Sequence, residues 1–380
     1  MQRPLNILFI TQEDFLAGST YSVFFLAREL ASRGHRTFIA ARENSLLHSL
    51  TLYSKVEFLP LKLTSRFDRN AMRLLRDWVV QYELDIINSQ SSKDRYITVF
   101  SRWLYRLPVK VVHTRRQISM SLGGPAQNLI YVNGTDKIVA VGNGVKKSLV
   151  DKGIPARHVE VIFNGTPVEK YMRVSTAYTD ALRKKLDIKE GDFVIGCISR
   201  RKLQHHLLRA LDFLGVPAKV VFVGITEDEE LATIARGFQL PHMVHYEGSV
   251  AADLALSYLP LFSIYALCSN TEGLSQALME AMYFRVPIVA TRASGNDDLI
   301  KHAHSGYLYE DGDVLDLALW IKSLRGNRAL GAKMADEAHK TLISRFTIEQ
   351  TANRYEHFFK ELLAPLPEVG RISAPEPLGT

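Results

Sequence analysis

The alternation of nearly all-apolar strand patterns with amphipathic helix patterns constrains this chain more than any other feature. LNILFIT (5–11), RTFIAA (36–41), DIINSQ (85–90), VKVVHT (109–114), DKIVAVG (136–142) and VEVIFNG (159–165) read as strands. Between them, TYSVFFLARELASRG (20–34), FDRNAMRLLRDWVVQYEL (67–84), Tyr96 to Leu107 and VKKSLVDKG (145–153) carry apolar residues at helical spacing. Gly34 stops the first of these helices as a C-cap. A strand with no polar face has to be covered on both sides, and the helices of repeated β–α units do that for a parallel sheet.

The scheme recurs in the second half. FVIGCIS (193–199), AKVVFVG (218–224), MVHYEG (243–248), LFSIYALC (261–268) and VPIVAT (286–291) read as strands, with helices at HHLLRALDFLG (205–215) and DEELATIARGF (228–238). SGNDDLI (294–300) reads as a loop, and three helical segments follow between 314 and 363. A chain of 380 residues suits two domains at roughly 100–200 residues each. The alternation weakens near 165–190, which places the boundary there. The fold class is therefore α/β, with two doubly wound parallel halves, 1–168 and 169–345. The Pro- and Gly-rich end, 364–380, is expected to be disordered. Two such halves leave a cleft between the carboxyl ends of their strands, where ligands of open α/β sheets sit.

Composition excludes several classes. The hydrophobic share of 47% and charged share of 23% are those of a globular chain. The apolar start of MQRPLNILFITQ runs into Glu13 and Asp14 and reads as a strand rather than a leader. Leu254 to Cys268 is too short for a membrane span and contains Pro260. Cys197 and Cys268 form no spacing motif and read as reduced thiols of a cytoplasmic protein. No metal-ligand pattern is visible. Charge is uneven: residues 1–165 carry 23 Lys+Arg against 13 Asp+Glu, a net of +10, and the rest carries 24 against 27, a net of −3. Lys93, Arg95, Arg102, Arg106, Lys110, Arg115 and Arg116 face only Asp94 within 86–116, with Trp103, Tyr105 and Leu107 interleaved. Such a field suits an anionic partner, a phosphorylated glycan or an acidic lipid surface; a solvated basic face is the alternative. No recognition-helix, RNP or zinc pattern supports nucleic acid.

SNTEGLSQALMEAM (269–282) sets Glu280 among Leu278, Met279, Ala281 and Met282, with Glu272 eight positions earlier. Gly273 to Gln276 is expected to form a first helical turn with free N–H groups, a seat for phosphate. Glu272 there is either a favourable charge at the helix dipole or a ligand contact. A buried carboxylate needs strong donors, and the hydroxyls of a ribose, backbone N–H groups or an arginine would serve. This segment resembles the E-x7-E segment of the retaining glycosyltransferases of family 4, among them bacterial lipopolysaccharide and cell-surface glycan glycosyltransferases. The resemblance implies the GT-B fold of two facing Rossmann-like domains, with a closing helix (346–363) crossing back to the first domain. It implies Glu272 near the donor sugar, Gly273, Leu274 and Ser275 as backbone donors, and Glu280 on the ribose of the nucleotide.

CISRRKL (197–203) puts Arg200, Arg201 and Lys202 straight after a strand. It resembles the family loop whose Arg and Lys bind the diphosphate, with Arg200 and Lys202 in those places. Cations there would stabilise a departing nucleoside diphosphate. LAGSTYSVFFLARELASRGH (16–35) resembles the family's N-terminal glycine loop, and Gly18 would let backbone approach donor phosphate or acceptor. In VVHTRRQ (111–117), Arg116 stands where relatives carry a histidine, and His113 lies within the strand. Arg116, His113 and Lys93 are candidate contacts to an acceptor or anionic group; for His113 a satisfied core histidine is the alternative. FNG (163–165) matches the family's interdomain hinge, and Asp298 stands in its acidic place. Relatives usually carry glycine where this chain has Arg285.

The reading is a cytoplasmic glycosyltransferase that transfers with retention from a UDP- or GDP-sugar to a glycan or lipid-linked acceptor. No cofactor or metal is expected, and an anionic membrane surface is a candidate partner. A sugar-nucleotide epimerase or hydrolase of the same fold is the alternative.

Overall fold

The computed structural model describes residues 3–12, 18–117, 124–270 and 273–364. Glu272 and the tail beyond 364 lie outside them. The described strands form two sheets in which every pairing is parallel. The first comprises β1 (Asn6–Ile10), β2 (Arg36–Ala41), β3 (Glu57–Pro60), β4 (Ile86–Ser89), β5 (Lys110–Arg115), β6 (Lys137–Ala140) and β7 (Val159–Val161), in the order β3-β2-β1-β4-β5-β6-β7. The second comprises β8 (Val194–Ile198), β9 (Lys219–Val223), β10 (Met243–Tyr246), β11 (Ile264–Leu267), β12 (Ile288–Thr291) and β13 (Tyr307–Tyr309), in the order β10-β9-β8-β11-β12-β13. Ile7, Leu8, Phe9 and Ile10 are all buried, as are Val220 to Val223, so both faces of each sheet are covered by helices. Chain order reverses between β1 and β4 and again between β8 and β11. At such a point the neighbouring crossovers run to opposite faces and leave a crevice beyond the strand ends.

Two expectations change at element level. SGNDDLI is a short helix, Ser294–Leu299, not a loop. Asn296 is fully buried inside it and donates from Nδ2 to Thr291 O at 2.9 Å, satisfying a carbonyl at the end of β12. The helix expected from Gly273 begins at Gln276. Ser275 is its N-cap, and its Oγ accepts from Leu278 N at 3.3 Å. The edge strands β3 and β13 were not separated in the sequence reading, because one is interrupted by charge and proline and the other has three residues.

The closing helix, Ile348–Leu363, returns to the first sheet. Tyr355 and Phe359 share a core with Phe9, Phe24 and Ala27 of that half. Glu356 accepts from Arg33 Nη1 at 3.0 Å and faces His35 Nε2 at 2.8 Å. The segment leaving β7 docks on the start of this helix. Thr166 N donates to Phe346 O and Ile348 N to Thr166 O, both at 3.0 Å, and Gly165 N donates to Thr351 Oγ1 at 2.8 Å. A Cβ on Gly165 would lie 2.1 Å from Thr347 O, so only glycine lets the two backbones meet.

Arg285 ends the Gln276–Tyr283 helix with φ +52°, the left-handed conformation that glycine takes without cost. Its Nε meets Asp336 Oδ1 at 3.0 Å, but both side chains are more than half exposed, so the pair contributes little. Arg285→Gly is therefore expected to raise Tm by about 1–3 °C in a thermal melt. A lowered Tm would show the surface pair outweighing the backbone strain.

Candidate functional site

The cations that follow β8 are sorted by one buried glutamine. Gln204 Nε2 donates to Ser199 Oγ at 2.8 Å and Arg200 O at 2.9 Å, while its Oε1 accepts from Lys202 N at 2.6 Å. That clasp folds the loop so that neighbouring side chains diverge. Arg201 turns to Asp228 and Glu230 and is held there as an ion pair. Lys202 reaches across the crevice, Nζ donating to Ser269 Oγ just beyond β11 at 2.9 Å. Arg200 stays exposed and lines a cavity of ≈ 210 Å³ together with Ser199, Gly224, Val250, Ala252, Ala255 and Glu280. A larger cavity of ≈ 350 Å³ opens at the amino ends of the same strands, between Phe193, Lys219 and Arg325. Lys219 is spent there on Asp192 at 2.7 Å. Ligands of parallel sheets sit at the carboxyl ends, so the smaller cavity is the candidate site.

Glu280 is not buried as its apolar neighbours suggested. Leu278, Met279, Ala281 and Met282 bury the inner faces of the helix, while the Glu280 side chain, 18% exposed, lies on the stripe facing the cavity. It has a partner within the chain: Lys170 Nζ donates to its Oε1 at 2.8 Å. Gly273 lies against the first half, where a Cβ would come within 2.1 Å of Arg116 O. A Cβ on Gly142 would lie 2.9 Å from Gly273 O and 2.7 Å from Asp298 Oδ2. Asp298 accepts from Asn143 N at 2.8 Å and Asn143 Nδ2 at 2.6 Å, closing the N-terminus of the helix Asn143–Asp151 from the other half. Burial pushes the Asp298 carboxyl up, and the two Asn143 bonds pull against it.

Across the cleft, Arg116 is held by a polar chain. Its Nε and Nη2 donate to Gln90 Oε1 at 3.2 and 3.0 Å, and its Nη1 donates to Asn164 Oδ1 at 2.8 Å. Asn164 Nδ2 donates to Ser22 Oγ at 2.6 Å, on the helix that Gly18 opens. Gln90 Nε2 donates to Asn88 Oδ1 at 2.9 Å, which also accepts from Thr114 Oγ1 at 2.8 Å. Thr114 in turn meets Tyr355 Oη of the closing helix at 3.1 Å. His113 is the core histidine of the two readings. It is 0% exposed, with Nδ1 3.1 Å from Ser89 O and Nε2 3.4 Å from Arg95 Nη1. Burial, with Arg95 and Arg115 beside it, holds its pKa well below the ordinary value, so the imidazole is neutral. Lys93 is exposed on the first turn of the helix Ser92–Tyr105.

The arrangement offers cations and a carboxylate at one crevice and a fixed guanidinium opposite, which suits an anionic, hydroxyl-rich ligand. Burial pushes the Cys197 thiol up to about 11 and Cys268 up to about 12, so neither is a ready nucleophile. Among the described residues, no group of three or more His, Cys, Asp or Glu is placed to hold a metal ion. The sequence reading missed Gln204, Asn164 as a side-chain contact, and Lys170. A polar residue on the apolar stripe of QHHLLRAL (204–211) was the available signal for Gln204; for Lys170 the sequence carries none.

Comparison with known proteins follows the same division. Residues 16–170 match the family model "Glycosyltransferase Family 4", and residues 179–341 match "Glycosyl transferases group 1". The N-acetyl-alpha-D-glucosaminyl L-malate synthase of Bacillus anthracis is 24% identical over 367 residues, 89% of this chain and 92% of that protein. The lipopolysaccharide core biosynthesis glycosyltransferase LpsE of Rhizobium meliloti is 26% identical over 238 residues, 62% and 67% of the two chains. Anabaena HepE in complex with UDP superposes with a TM-score of 0.79 at 20% identity, covering 94% of this chain and 100% of that one. The lipopolysaccharide outer core galactosyltransferase WaaB does so with a TM-score of 0.70 at 17% identity, covering 94% and 100%. The two facing parallel sheets are the GT-B fold, and this chain belongs to the glycosyltransferases of the group 1 and family 4 type.

Proposed function

We propose that the chain transfers a sugar, with retention of configuration, from a nucleoside-diphosphate sugar to a hydroxyl of a glycan or lipid-linked acceptor in cell-surface polysaccharide or lipopolysaccharide synthesis. The observation that carries this is the pairing of Arg200 and Glu280 in one cavity at the carboxyl ends of β8 and β9, with Lys202 anchored across the neighbouring β8/β11 crevice. A nucleotide seated there presents its ribose hydroxyls to Glu280, and the diphosphate meets Arg200, Lys202 and the loop before the Gln276–Tyr283 helix. Backbone N–H groups of Gly273, Leu274 and Ser275 are assigned to sugar and diphosphate. Gly18, at the start of its helix, is assigned to close backbone approach from the first half. Glu272 is assigned to the donor sugar.

The chemistry follows from where charge develops. As the glycosidic bond to the diphosphate breaks, negative charge grows on the departing oxygen, and fixed cations lower that barrier. In this reading Arg200 and Lys202 take the part a metal ion would play. The departing phosphate oxygen accepts the proton of the incoming hydroxyl on the same face, which retains configuration. Arg116, held by Gln90 and Asn164, and Lys93 are assigned to anionic groups of the acceptor or donor. UDP is the first donor base to test, since the Anabaena HepE structure contains UDP.

An anionic membrane surface is assigned to the acceptor side, at the inner face of the cytoplasmic membrane. The helices Arg69–Gln81 and Ser92–Tyr105 pack together; of the basic stretch, Lys93 and Arg106 are exposed, whereas Arg95 is buried and Arg102 pairs with Asp136. Phe67 is 63% exposed, Leu104 62% and Trp103 44%. Arg66 lies over the Tyr96 ring at 5.1 Å and Arg76 over Tyr105 at 5.1 Å. Apolar side chains rimmed by guanidinium groups suit a headgroup layer. Among the described residues, no helix is long and apolar enough to cross a membrane.

Thermal shift against a panel of UDP- and GDP-sugars should single out one nucleotide. Glu280→Ala is then expected to raise its Kd by about tenfold or more, a loss of about 1.4 kcal/mol. Glu272→Ala should chiefly lower kcat. Unchanged nucleotide affinity in a folded Glu280→Ala protein would sink the ribose assignment. Release of free or epimerised sugar without any acceptor would favour the hydrolase or epimerase reading.

Co-sedimentation with phosphatidylglycerol vesicles tests the surface. Retention should exceed that on neutral phosphatidylcholine vesicles, fall with added salt, and fall at least about threefold in a Trp103→Ala/Leu104→Ala variant. Equal retention on both vesicle types would count against it.

A further inference from the structure

The segment that joins the two halves sends one side chain to each wall of the cleft. Asn164 holds Arg116 of the first half, and six positions on Lys170 holds Glu280 of the second. Between them the backbone is fixed: Gly165 and Thr166 are bonded to the start of the closing helix, and the turn Val168–Arg173 is wedged by Tyr171. The Tyr171 ring is buried, stacks on Tyr283 at 4.3 Å and meets Phe284 edge-on at 5.9 Å. Its Oη meets Thr166 Oγ1 at 3.1 Å, and Lys170 Nζ sits 4.8 Å from its ring centroid. Tyr283 belongs to the helix that carries Glu280, so the turn is locked onto that helix one turn from the carboxylate.

We infer that Lys170 is a positioning residue for donor binding. This rests on reading Glu280 as the nucleotide's anchor. A glutamate on a helix surface has three rotatable bonds, and its carboxylate has to be held if two vicinal hydroxyls are to find it in place. The Lys170 ammonium takes Oε1 alone, and Oε2 makes no hydrogen bond with the described residues. One oxygen is thus immobilised by charge while the other stays available to a donor hydroxyl. The ammonium keeps two further N–H groups beside that carboxylate. Both side chains of the pair are about a fifth to a quarter exposed, so the bond is a weak contributor to folding. Its geometric consequence lies at the cavity.

Isothermal titration of the full chain with UDP and with GDP, alongside steady-state kinetics, tests this. Lys170→Met is expected to raise the Kd of the nucleotide that binds, and the donor KM, by about tenfold. Tm should stay within about 2 °C and kcat within about threefold, a split that a merely structural role would not produce. Lys170→Arg should restore affinity to within about threefold of the parent. In a Lys170→Met/Glu280→Gln cycle the two losses should not add, since they act through one carboxylate. Lys170→Met with unchanged affinity beside a weakened Glu280→Gln would overturn the role of Lys170 alone. Unchanged affinity in Glu280→Gln would overturn the anchor reading beneath it.

Discussion

The architecture depends on the double-sided burial of two parallel sheets. Because Val220–Val223 and Ile7–Ile10 are covered on both faces, no functional group can be mounted on a sheet face without a large desolvation cost. Chemistry is driven to the strand ends, and the reversals of strand order at β1/β4 and β8/β11 open space there. Arg200, Lys202, Ser269, Gln90 and Arg116 sit just past such ends, and Glu280 faces them from the helix Gln276–Tyr283. The polar chain from Tyr355 through Thr114, Asn88 and Gln90 to Arg116 is the exception that the burial rule permits: inside the sheet each step is hydrogen-bonded to the next.

Charge at the crevice is divided between structure and ligand. Of three successive cations, Arg201 is consumed by Asp228 and Glu230, and Lys202 is tethered to Ser269. Arg200 is left facing the cavity. The clasp of Gln204 on Ser199, Arg200 and Lys202 produces this sorting, because it fixes the direction in which each Cβ leaves the loop. A glutamine thus determines what the basic run can do. The segment Asn164–Lys170 plays a comparable part between the halves. It is pinned to the closing helix at Gly165 and Thr166 and contributes a contact to each wall of the cleft.

Much of the fold was legible because strand and helix periodicity is a local property. Ile7–Ile10 cannot be amphipathic in any register, so a parallel sheet was the remaining option. Arg200 and Lys202 were legible because cations directly after an apolar strand stand at its carboxyl end. Glu280 was legible as a carboxylate out of place, yet its burial was overestimated. The 3.6-residue period puts it on the outer stripe of a helix that buries Leu278, Met279, Ala281 and Met282. The helix start was misplaced by three residues because Ser275 supplies the capping oxygen, which starts the helix at Gln276 rather than Gly273. SGNDDLI was misread because the buried Asn296 closes a turn that its composition argues against.

Sequence by itself determined the layer architecture, the cleft at the strand ends and the resemblance carried by TEGLSQALMEAM, since each follows from neighbours close along the chain. The tertiary structure decided which groups are free and which are spent. Lys170 meets Glu280 across 110 residues, Arg116 meets Asn164 across 48, and Asn143 meets Asp298 across 155. Those pairings depend on how sheets, linker and closing helix dock, and no local pattern encodes a partner that distant. His113 shows the same limit: strand periodicity placed it in β5, but only packing against Ser89 and Arg95 made it a neutral core residue.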